Sequence, residues 1–248
     1  MAKTDRDNFL SHASARASAL RDHIFSLPAD EFRDKPWKLV GAIEDFARTS
    51  ELPMTIQASK VGVIRGAMAA MDPTPRLVLE FGTFVGSSAL AWGATLRDFH
   101  GNAGGGDSGL RVFTFEADQQ VAQIARDLVE LAGLEELVLV LDGKGSASVR
   151  QLHDEGLVGE GKVDMVFLDH WEECYLPDLR LCEELKLFHK GSVVIADNTD
   201  FPGAPAYVDY VKKGGSGESG AVRYQSQSVD ASDTNLAKIV EISKVIEI

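Results

Sequence analysis

From residue 76 onward, short apolar or β-branched runs alternate with longer segments of helical periodicity. Such an alternation predicts a parallel β-sheet with helices on both faces. Two further runs near the end of the chain lie close together, which favours an antiparallel pair. The first five predicted strands cover residues 76–80, 111–116, 137–142, 163–169 and 192–197, and the final pair covers 221–228 and 235–243.

Helical periodicity predicts two helices before the sheet, and we expect them to pack over its edge as a lid. Glycine-rich segments at 100–109 and 212–220 are predicted to be flexible connectors. We therefore expect a single domain over 1–248, with an N-terminal helical lid at 1–70 and an α/β core at 71–248. The predicted helices lie near 36–49, 56–70, 87–98, 118–132, 146–155, 175–187 and 204–213.

Composition narrows the classes of function. The 248 residues carry a net charge of −13 that is spread along the chain, and no Lys/Arg-rich run offers a surface for nucleic acid. No apolar stretch is long enough for a membrane span. Cys174 and Cys182 provide no disulfide framework, which favours a reducing, cytoplasmic location. We expect a cytoplasmic protein, a monomer or weak dimer, that acts on a small molecule and binds neither nucleic acid nor membrane.

Each of the first five predicted strands ends in an acidic residue. In open α/β sheets, ligands bind outside the carboxyl ends of the strands, so these positions are candidates for function. Acidic residues also suit strand ends and helix starts for local reasons, and for Asp142 this explanation suffices. The five acidic residues are Glu80, Glu116, Asp142, Asp169 and Asp197.

The segment "LVLEFGTFVGSSAL" predicts a strand, a tight turn and the start of a helix. Its pattern around Gly82 and Gly86 is E-x-G-x-x-x-G, so it lacks the middle glycine of the dinucleotide fingerprint, which disfavours a nicotinamide-dependent oxidoreductase. Glu80 suits a cationic ligand better than a phosphate. S-adenosylmethionine has a sulfonium, an ammonium and a ribose without phosphates, and Glu116 could accept both ribose hydroxyls. The alternative is a purely structural turn.

Oxygen donors also follow two strands that we expect to be neighbours. "DHW" at 169–171 and "ADN" at 196–198 bring Asp169, Asp197 and Asn198 to the same edge of the sheet. Two carboxylates and an amide oxygen form a hard donor set that suits Mg²⁺ better than Zn²⁺. The alternative is that Asp197 and Asn198 only cap a turn.

Several long motifs resemble those of the catechol O-methyltransferase family. The resemblance implies a class I methyltransferase: a Rossmann-like, seven-stranded, mostly parallel sheet with one antiparallel strand and helices on both faces. It also implies Mg²⁺-dependent methyl transfer from S-adenosylmethionine to a hydroxyl of a small aromatic diol. The similarity runs from about Trp37 to about Tyr224, and its motifs are "LVLEFGTFVGSSA", "VDMVFLDHWEECYLPD", "LFHKGSVVIADN" and "FPGAPAYVDYV".

The resemblance assigns roles by position. The methionine moiety of the cofactor falls to Met54, Ile56, Glu80, Gly82, Phe84 and Ser88. The ribose falls to Glu116, and the adenine and its surroundings fall to Gly143, Lys144, Gly145, Ser146, His170 and Trp171. The family's Mg²⁺ ligands correspond to Asp169, Asp197 and Asn198, of which Asp169 also lies beside the cofactor. The apolar walls of the substrate site correspond to Leu52, Trp171 and Pro202, with Leu52 in place of a tryptophan.

The chain departs from the family at two positions that bear on chemistry. The general base of the family is a lysine, and here that position is Glu172. Glu172 could act as the base, serve as an extra metal ligand, or be a solvated glutamate at a helix start, as we expect for Glu173. A second carboxylate of the family falls on Gly220, with Glu218 nearby, and Lys60 and His170 are fallback bases. The alternative function is therefore a cofactor-binding protein with weakened or lost catalysis.

Overall fold

The computed structural model describes residues 3–101, 109–231 and 237–248. Most of the predicted connector at 100–109 and the first two residues of the predicted strand at 235–243 lie outside these ranges. Among the described helices, none is both long and apolar enough to cross a membrane. The helices are α1 (Lys3–Ser26), α2 (Pro36–Ser50), α3 (Ala58–Ala69), α4 (Ser87–His100), α5 (Gln119–Leu131), α6 (Gly145–Asp154), α7 (Tyr175–Glu184) and α8 (Pro205–Lys212).

Seven strands form one sheet in the order β3-β2-β1-β4-β5-β7-β6. β1 to β5 are parallel, and β7 pairs antiparallel with both β5 and β6. The predicted fold class, with one antiparallel strand, is thus confirmed. The strands are β1 (Leu77–Phe81), β2 (Arg111–Glu116), β3 (Val138–Asp142), β4 (Val163–Leu168), β5 (Phe188–Ala196), β6 (Arg223–Asp230) and β7 (Ile239–Glu247).

Two apolar layers cover the sheet because successive strand residues point to opposite faces. On one face, Val78, Met165 and Phe167 pack in a core with α4, α5 and the N-terminal helices. On the other face, Leu79 and Phe81 pack with α6, α7 and α8. The strand order reverses between β1 and β4, and this switch point is where an α/β sheet opens a crevice for ligands.

The N-terminal helices pack on the helices of one face and not, as predicted, over the edge of the sheet. α2 lies against α4, and α1 lies against α5. α1 itself was not predicted from the sequence. Its buried positions Ala13, Ala17, Leu20 and Ile24 have helical spacing, but two of them are alanines, so the hydrophobic signal of this face is weak.

The other differences concern element boundaries. β5 begins at Phe188, four residues before the predicted start, because the irregular pairing between Val163 and Met165 lets it add an early partner to β4. The final pair lies two to four residues later than predicted. In β6 only Tyr224 is buried, so the hydrophobic pattern offered little to fix its position.

Candidate functional site

The glycine turn after β1 lies against the residue that follows β4. Gly82 has φ +100°, and a Cβ atom there would lie 2.3 Å from the carbonyl oxygen of Asp169. The amide of Asp169 donates to the carbonyl oxygen of Phe81 at 2.9 Å, and the amide of Gly82 donates to Phe115 at 3.2 Å. Only glycine allows this approach at this conformation. The turn therefore brings the ends of β1, β2 and β4 together at the switch point.

Glu80 is fully buried beneath this turn, and neutral donors surround its carboxylate. Trp92 Nε1 donates to Oε1 at 2.9 Å and Thr114 Oγ1 donates to Oε2 at 2.5 Å. Burial raises the pKa of Glu80 to about 7, although hydrogen bonds from Thr114, Ser88 and Trp92 oppose the shift. Both of its oxygens therefore accept hydrogen bonds from the protein itself, and its predicted place beside the cofactor stays a prediction.

Glu116 ends β2 beside the same turn. Its Oε2 accepts from the backbone amide of Phe84 at 2.8 Å, and its Oε1 accepts from that of Asp118 at 2.9 Å. Burial raises the pKa of the Glu116 carboxyl, and the backbone donors work against this shift. Each oxygen keeps a second lone pair, because a carboxylate accepts up to about four hydrogen bonds. The carboxylate is thus held in one orientation with acceptor capacity to spare.

The loop after β3 approaches from the other side. Gly143 has φ +127°, and its amide donates to the carbonyl oxygen of Glu116 at 2.7 Å. A Cβ at Gly145 would collide with the ring of Phe81 at 2.3 Å. Lys144 is exposed just before α6, and Ser146 is half-buried in its first turn. These residues bring the start of α6 against the end of β1.

The imidazole of His170 is held by an acid and two rings. Its Nε2 lies 2.7 Å from Asp178 Oδ2, its ring stacks on Tyr175 at 5.3 Å, and the ring of Phe81 lies 5.5 Å away on a tilted plane. Its other nitrogen, Nδ1, is buried and has no hydrogen-bond partner among the described residues. Because an imidazole that donates from Nε2 has a lone pair on Nδ1, this atom is available to accept a hydrogen bond.

Trp171 is half-buried and is covered by the first helix. The guanidinium carbon of Arg6 lies 3.5 Å from the centroid of the indole, and Arg6 Nη1 lies 3.0 Å from Glu173 Oε1. Glu173 is exposed, as expected for a solvated glutamate. The contact ties the beginning of α1 to the loop after β4.

The three predicted metal ligands lie at the ends of neighbouring strands. The amide of Asp197 donates to the carbonyl oxygen of Leu168 at 3.0 Å, which aligns the end of β5 with that of β4. Burial raises the pKa of Asp169 well above its usual range, and the negative charge of Asp197 raises it further. The pKa of Asp197 is also raised by burial, with Lys60 opposing the shift. The two carboxylates thus share one electrostatic environment that favours a cation.

A cation of the protein itself is already present there. Lys60 on α3 is buried, and its Nζ lies 2.6 Å from Asp197 Oδ1, 2.8 Å from Oδ2 and 2.8 Å from Asn198 Oδ1. From the sequence, Lys60 is predicted only as a fallback base. The sequence does contain a pattern that indicates a buried Lys60. This residue has i, i+4 spacing with Ile56, Ile64 and Met68, which are all buried. A lysine within an apolar stripe needs a partner of opposite charge.

The donor set fits a hard divalent cation, with one complication. Asp169, Asp197 and Asn198 offer only oxygen, as Mg²⁺ prefers, and Asp197 Oδ1 has no well-directed hydrogen-bond donor within the described residues. No group of three or more His, Cys, Asp or Glu side chains in that part of the chain could hold a metal ion. Any metal site here therefore depends on the amide oxygen of Asn198, and Lys60 would have to move.

Glu172 begins the short 3-10 turn Glu172–Cys174 and is half-buried. Burial raises the pKa of its carboxyl, and the charges of Glu173 and Asp197 raise it further. Glu172 in turn contributes to the raised pKa of Asp169. The carboxyl is therefore within electrostatic reach of both acidic residues at the ends of β4 and β5.

The apolar residues expected around the methionine moiety and the substrate are not equally accessible. Leu52 and Ile56 belong to the buried core, with 5% and 6% of their surface exposed. Leu52 therefore does not form an open wall in this conformation, because its side chain belongs to the core on one face of the sheet. Met54 has 44% of its surface exposed, and Pro202 is exposed beside Phe201.

Gly220 and Glu218 do not lie near the predicted metal ligands. They line an open cleft of about 820 Å³ with Glu160, Lys186 and Phe188. Phe188 begins β5, whereas Asp197 follows its end, so the strand separates the two places by roughly 30 Å. Gly220 and Glu218 therefore lie at the opposite end of β5 from Asp197, just before the polar strand β6. The end of β6 on the side of Asp197 is Asp230, which pairs with Lys238 at 3.3 Å.

The chain is similar in sequence to known methyltransferases. A family model described as "Methyltransferase domain" matches residues 79–199. Catechol O-methyltransferase of Sus scrofa is 35% identical over 159 residues, which cover 63% of this chain and 79% of that protein. Catechol O-methyltransferase B of Danio rerio is 32% identical over 180 residues, covering 73% of this chain. The chain spans only 63% of the length of that protein and 60% of the Bos taurus catechol O-methyltransferase.

Solved structures share the fold at lower identity. The O-methyltransferase from Bacillus cereus, in complex with SAH, has a TM-score of 0.60 and 21% identity, covering 84% of this chain and 90% of that one. The O-methyltransferase TomG from Streptomyces achromogenes, in complex with SAM, has a TM-score of 0.60 and 22% identity, covering 84% of this chain and 89% of that one. These similarities support the fold.

Proposed function

Because the chain belongs to the catechol O-methyltransferase family, we propose that it transfers a methyl group from S-adenosylmethionine to one hydroxyl of a catechol-like diol, with Mg²⁺ at Asp169, Asp197 and Asn198. The observation that carries the proposal is the contact of Gly82 with the backbone of Asp169, which joins a glycine turn to a set of oxygen donors. A methyl donor and an activated hydroxyl would have to meet at such a junction.

The cofactor half would be formed by the turns after β1, β2 and β3. Glu116 has acceptor capacity left for the ribose hydroxyls, and its orientation is fixed by the amides of Phe84 and Asp118. The unpartnered Nδ1 of His170 could accept a hydrogen bond from the adenine amino group. Glu80 would act from below the turn. Its carboxylate accepts a hydrogen bond from Ser88 and would place negative charge near the cationic methionine moiety.

The metal half would orient the diol. When bound, S-adenosylmethionine would supply the methyl group and Mg²⁺ would lower the pKa of the hydroxyl that it contacts. Asp169, Asp197 and Asn198 would hold that ion, and Trp171 and Pro202 would confine the aromatic ring. The substrate oxygen would form its bond to the methyl carbon as the sulfur–carbon bond breaks, which leaves S-adenosylhomocysteine and a methyl ether.

Glu172 is our candidate for the group that takes the hydroxyl proton. Its raised pKa, caused by burial and then by Glu173 and Asp197, makes it a better proton acceptor than an ordinary glutamate. Replacing Glu172 by Gln should lower kcat by roughly 10²- to 10⁴-fold, as is typical for the loss of a general base. Glu173→Gln is the matched control, and we expect its kcat to stay near that of the wild type. Equal effects of the two changes would rule out this role for Glu172.

The direct test of the function is incubation with methyl-labelled S-adenosylmethionine, MgCl₂ and a panel of catechols. We expect methyl ethers from vicinal diols, none from the matching monophenols, and loss of turnover in EDTA. Asp197→Asn should remove the activity, whereas Asp209→Asn on the exposed surface should keep it. Turnover that persists in EDTA, or no product from any diol, would contradict the proposal.

A second candidate is a protein that binds the cofactor but has lost catalysis. Two observations favour it: Glu172 stands where the family has its lysine, and Lys60 occupies the donor set. This candidate predicts that calorimetry detects S-adenosylmethionine binding without turnover, and that Glu172→Lys creates activity. Robust wild-type turnover that Glu172→Lys lowers would exclude it.

A further inference from the structure

The ammonium group of Lys60 lies where a cation bound by Asp197 and Asn198 would have to lie. Its Nζ is 2.6 Å and 2.8 Å from the two carboxylate oxygens of Asp197 and 2.8 Å from Asn198 Oδ1. These three oxygen atoms belong to Asp197 and Asn198, two of the three proposed metal ligands. A lysine nitrogen and a divalent ion cannot share them at such distances, because both would occupy the same space between the ligands.

The electrostatics of the pocket favour one cation at a time. Asp197 is 3% exposed and Lys60 is 3% exposed, so neither charge is compensated by water. A buried carboxylate left without a cation is costly, and so is a buried ammonium left without a partner. The carboxyl groups of Asp169 and Glu172 lie within electrostatic reach of the same pocket. The pocket therefore needs a positive charge in every state, and in the absence of metal Lys60 supplies it.

We infer that Lys60 is the resident cation of this pocket in the metal-free protein, and that a divalent ion binds there only by displacing its ammonium group. The inference rests on the proposed metal site. Its consequence is that Lys60 weakens the affinity for the metal while it stabilises the metal-free fold. Metal binding is therefore coupled to the position of the Lys60 side chain, which α3 carries.

The first test measures Mn²⁺ affinity of the full chain by electron paramagnetic resonance and calorimetry. Lys60→Met keeps the length of the side chain and removes its charge, so we expect it to bind Mn²⁺ at least about tenfold more tightly than the wild type. Lys60→Gln keeps a hydrogen-bond donor and serves if the Met variant does not fold. Lys213→Met removes the same charge from an exposed pair with Asp209 and should bind like the wild type.

The second test uses the wild type alone. The Nζ of a buried, hydrogen-bonded lysine can be followed by ¹⁵N nuclear magnetic resonance in protein labelled at lysine, with Lys60→Gln to identify the signal. We expect this signal to change or disappear as Mg²⁺ is added, over the same concentration range as the binding of the metal. A Lys60 signal that stays unchanged while the metal binds at Asp197 would overturn displacement.

The outcomes separate this inference from the proposed function. Tighter Mn²⁺ binding by Lys60→Met supports the exchange even if no catechol is methylated. Equal affinity of wild type, Lys60→Met and Lys60→Gln overturns the exchange but leaves a metal-dependent methyltransferase intact. If none of them binds Mn²⁺, both the exchange and the metal dependence are wrong.

Discussion

Glu80 and Asp197 are both buried acids at the carboxyl end of the sheet, but the protein accommodates their charges in different ways. Around Glu80, on the proposed cofactor side, the partners are neutral donors from Trp92 and Thr114, and burial raises the pKa of Glu80 to about 7. Around Asp197, on the proposed metal side, the partner is the ammonium of Lys60. A carboxyl with neutral partners can accept a proton, whereas one with a cationic partner depends on that cation. In the proposed function, the carboxylate on the proposed cofactor side is thus held by fixed hydrogen bonds, whereas the one on the proposed metal side is held by a cation that the metal would replace.

Asp197→Asn should have the largest effect on stability and tests the metal-free pairing of Asp197 with Lys60. The change leaves Lys60 buried without a carboxylate, and breaking a buried ion pair from one side typically costs about 3–5 kcal/mol. We expect the free energy of unfolding in urea to fall by this order. Asp209→Asn, whose partner Lys213 is exposed, should alter it by less than about 1 kcal/mol. A small loss for Asp197→Asn would mean that Lys60 finds other compensation.

Glu80→Gln should raise the free energy of unfolding instead of lowering it, and this effect should depend on pH. The pKa of Glu80 is raised in the folded protein to about 7 from 4.5, so the native state binds the proton more tightly than the unfolded state. Stability is therefore lost as pH rises through this window, by at most about 3 kcal/mol. We expect Glu80→Gln to be stabilised relative to the wild type at pH 8.5 but not at pH 4. A difference between the two proteins that is independent of pH would contradict the prediction.

Gly82→Ala tests the junction between the two sides. The added Cβ would lie 2.3 Å from the carbonyl oxygen of Asp169, and the residue would keep φ +100°. Overpacking of this kind typically costs about 1–3 kcal/mol, and we expect the affinity for S-adenosylmethionine to fall as well. Gly156→Ala is the matched control: it has φ +72°, and its Cβ would meet no heavy atom of the described residues within 4 Å. Calorimetry that finds the two variants alike would show that strain alone, and not the contact with Asp169, explains the effect.

The smallest expected effect is that of Arg6→Ala. Arg6 covers the indole of Trp171 and pairs with the exposed Glu173, and such contacts contribute about 0.5–1 kcal/mol each at most. We expect a small loss of stability and a change in tryptophan fluorescence, both weaker at high salt. Arg16→Ala, in the same helix, should leave the fluorescence unchanged. If Arg6→Ala also leaves the fluorescence unchanged, α1 does not act on the loop after β4.

Most of the sheet and seven of its helices could be predicted from the sequence, because buried strands and amphipathic helices carry strong patterns. α1 could not, since Ala13 and Ala17 fill its buried face with little apolar surface. The polar strand β6 has a similarly weak apolar pattern, and its predicted bounds lie two residues too early. In each case a short-range pattern was too weak to indicate the packing.

The candidate site also has a part that the sequence predicts and a part that it does not. The sequence predicts that Asp169, Asp197 and Asn198 lie close together, because they follow neighbouring strands of one parallel sheet. The contact of Lys60 with Asp197 joins residues 137 positions apart, and no periodicity along the chain reports such a distance. The same holds for Arg6 and Trp171. The sequence therefore does not predict which charged side chains of the N-terminal helices reach the ends of the strands.

The strand order also has a consequence for how the molecule is completed during synthesis. β7 is made after β6, yet it lies between β6 and β5. While residues 239–247 are still missing, β6 has no neighbour to pair with, and the half-formed sheet ends at an unpaired β5. The growing polypeptide can thus assemble its first five strands early, but it must wait for one of its last segments before that hydrophobic edge is sealed against other chains.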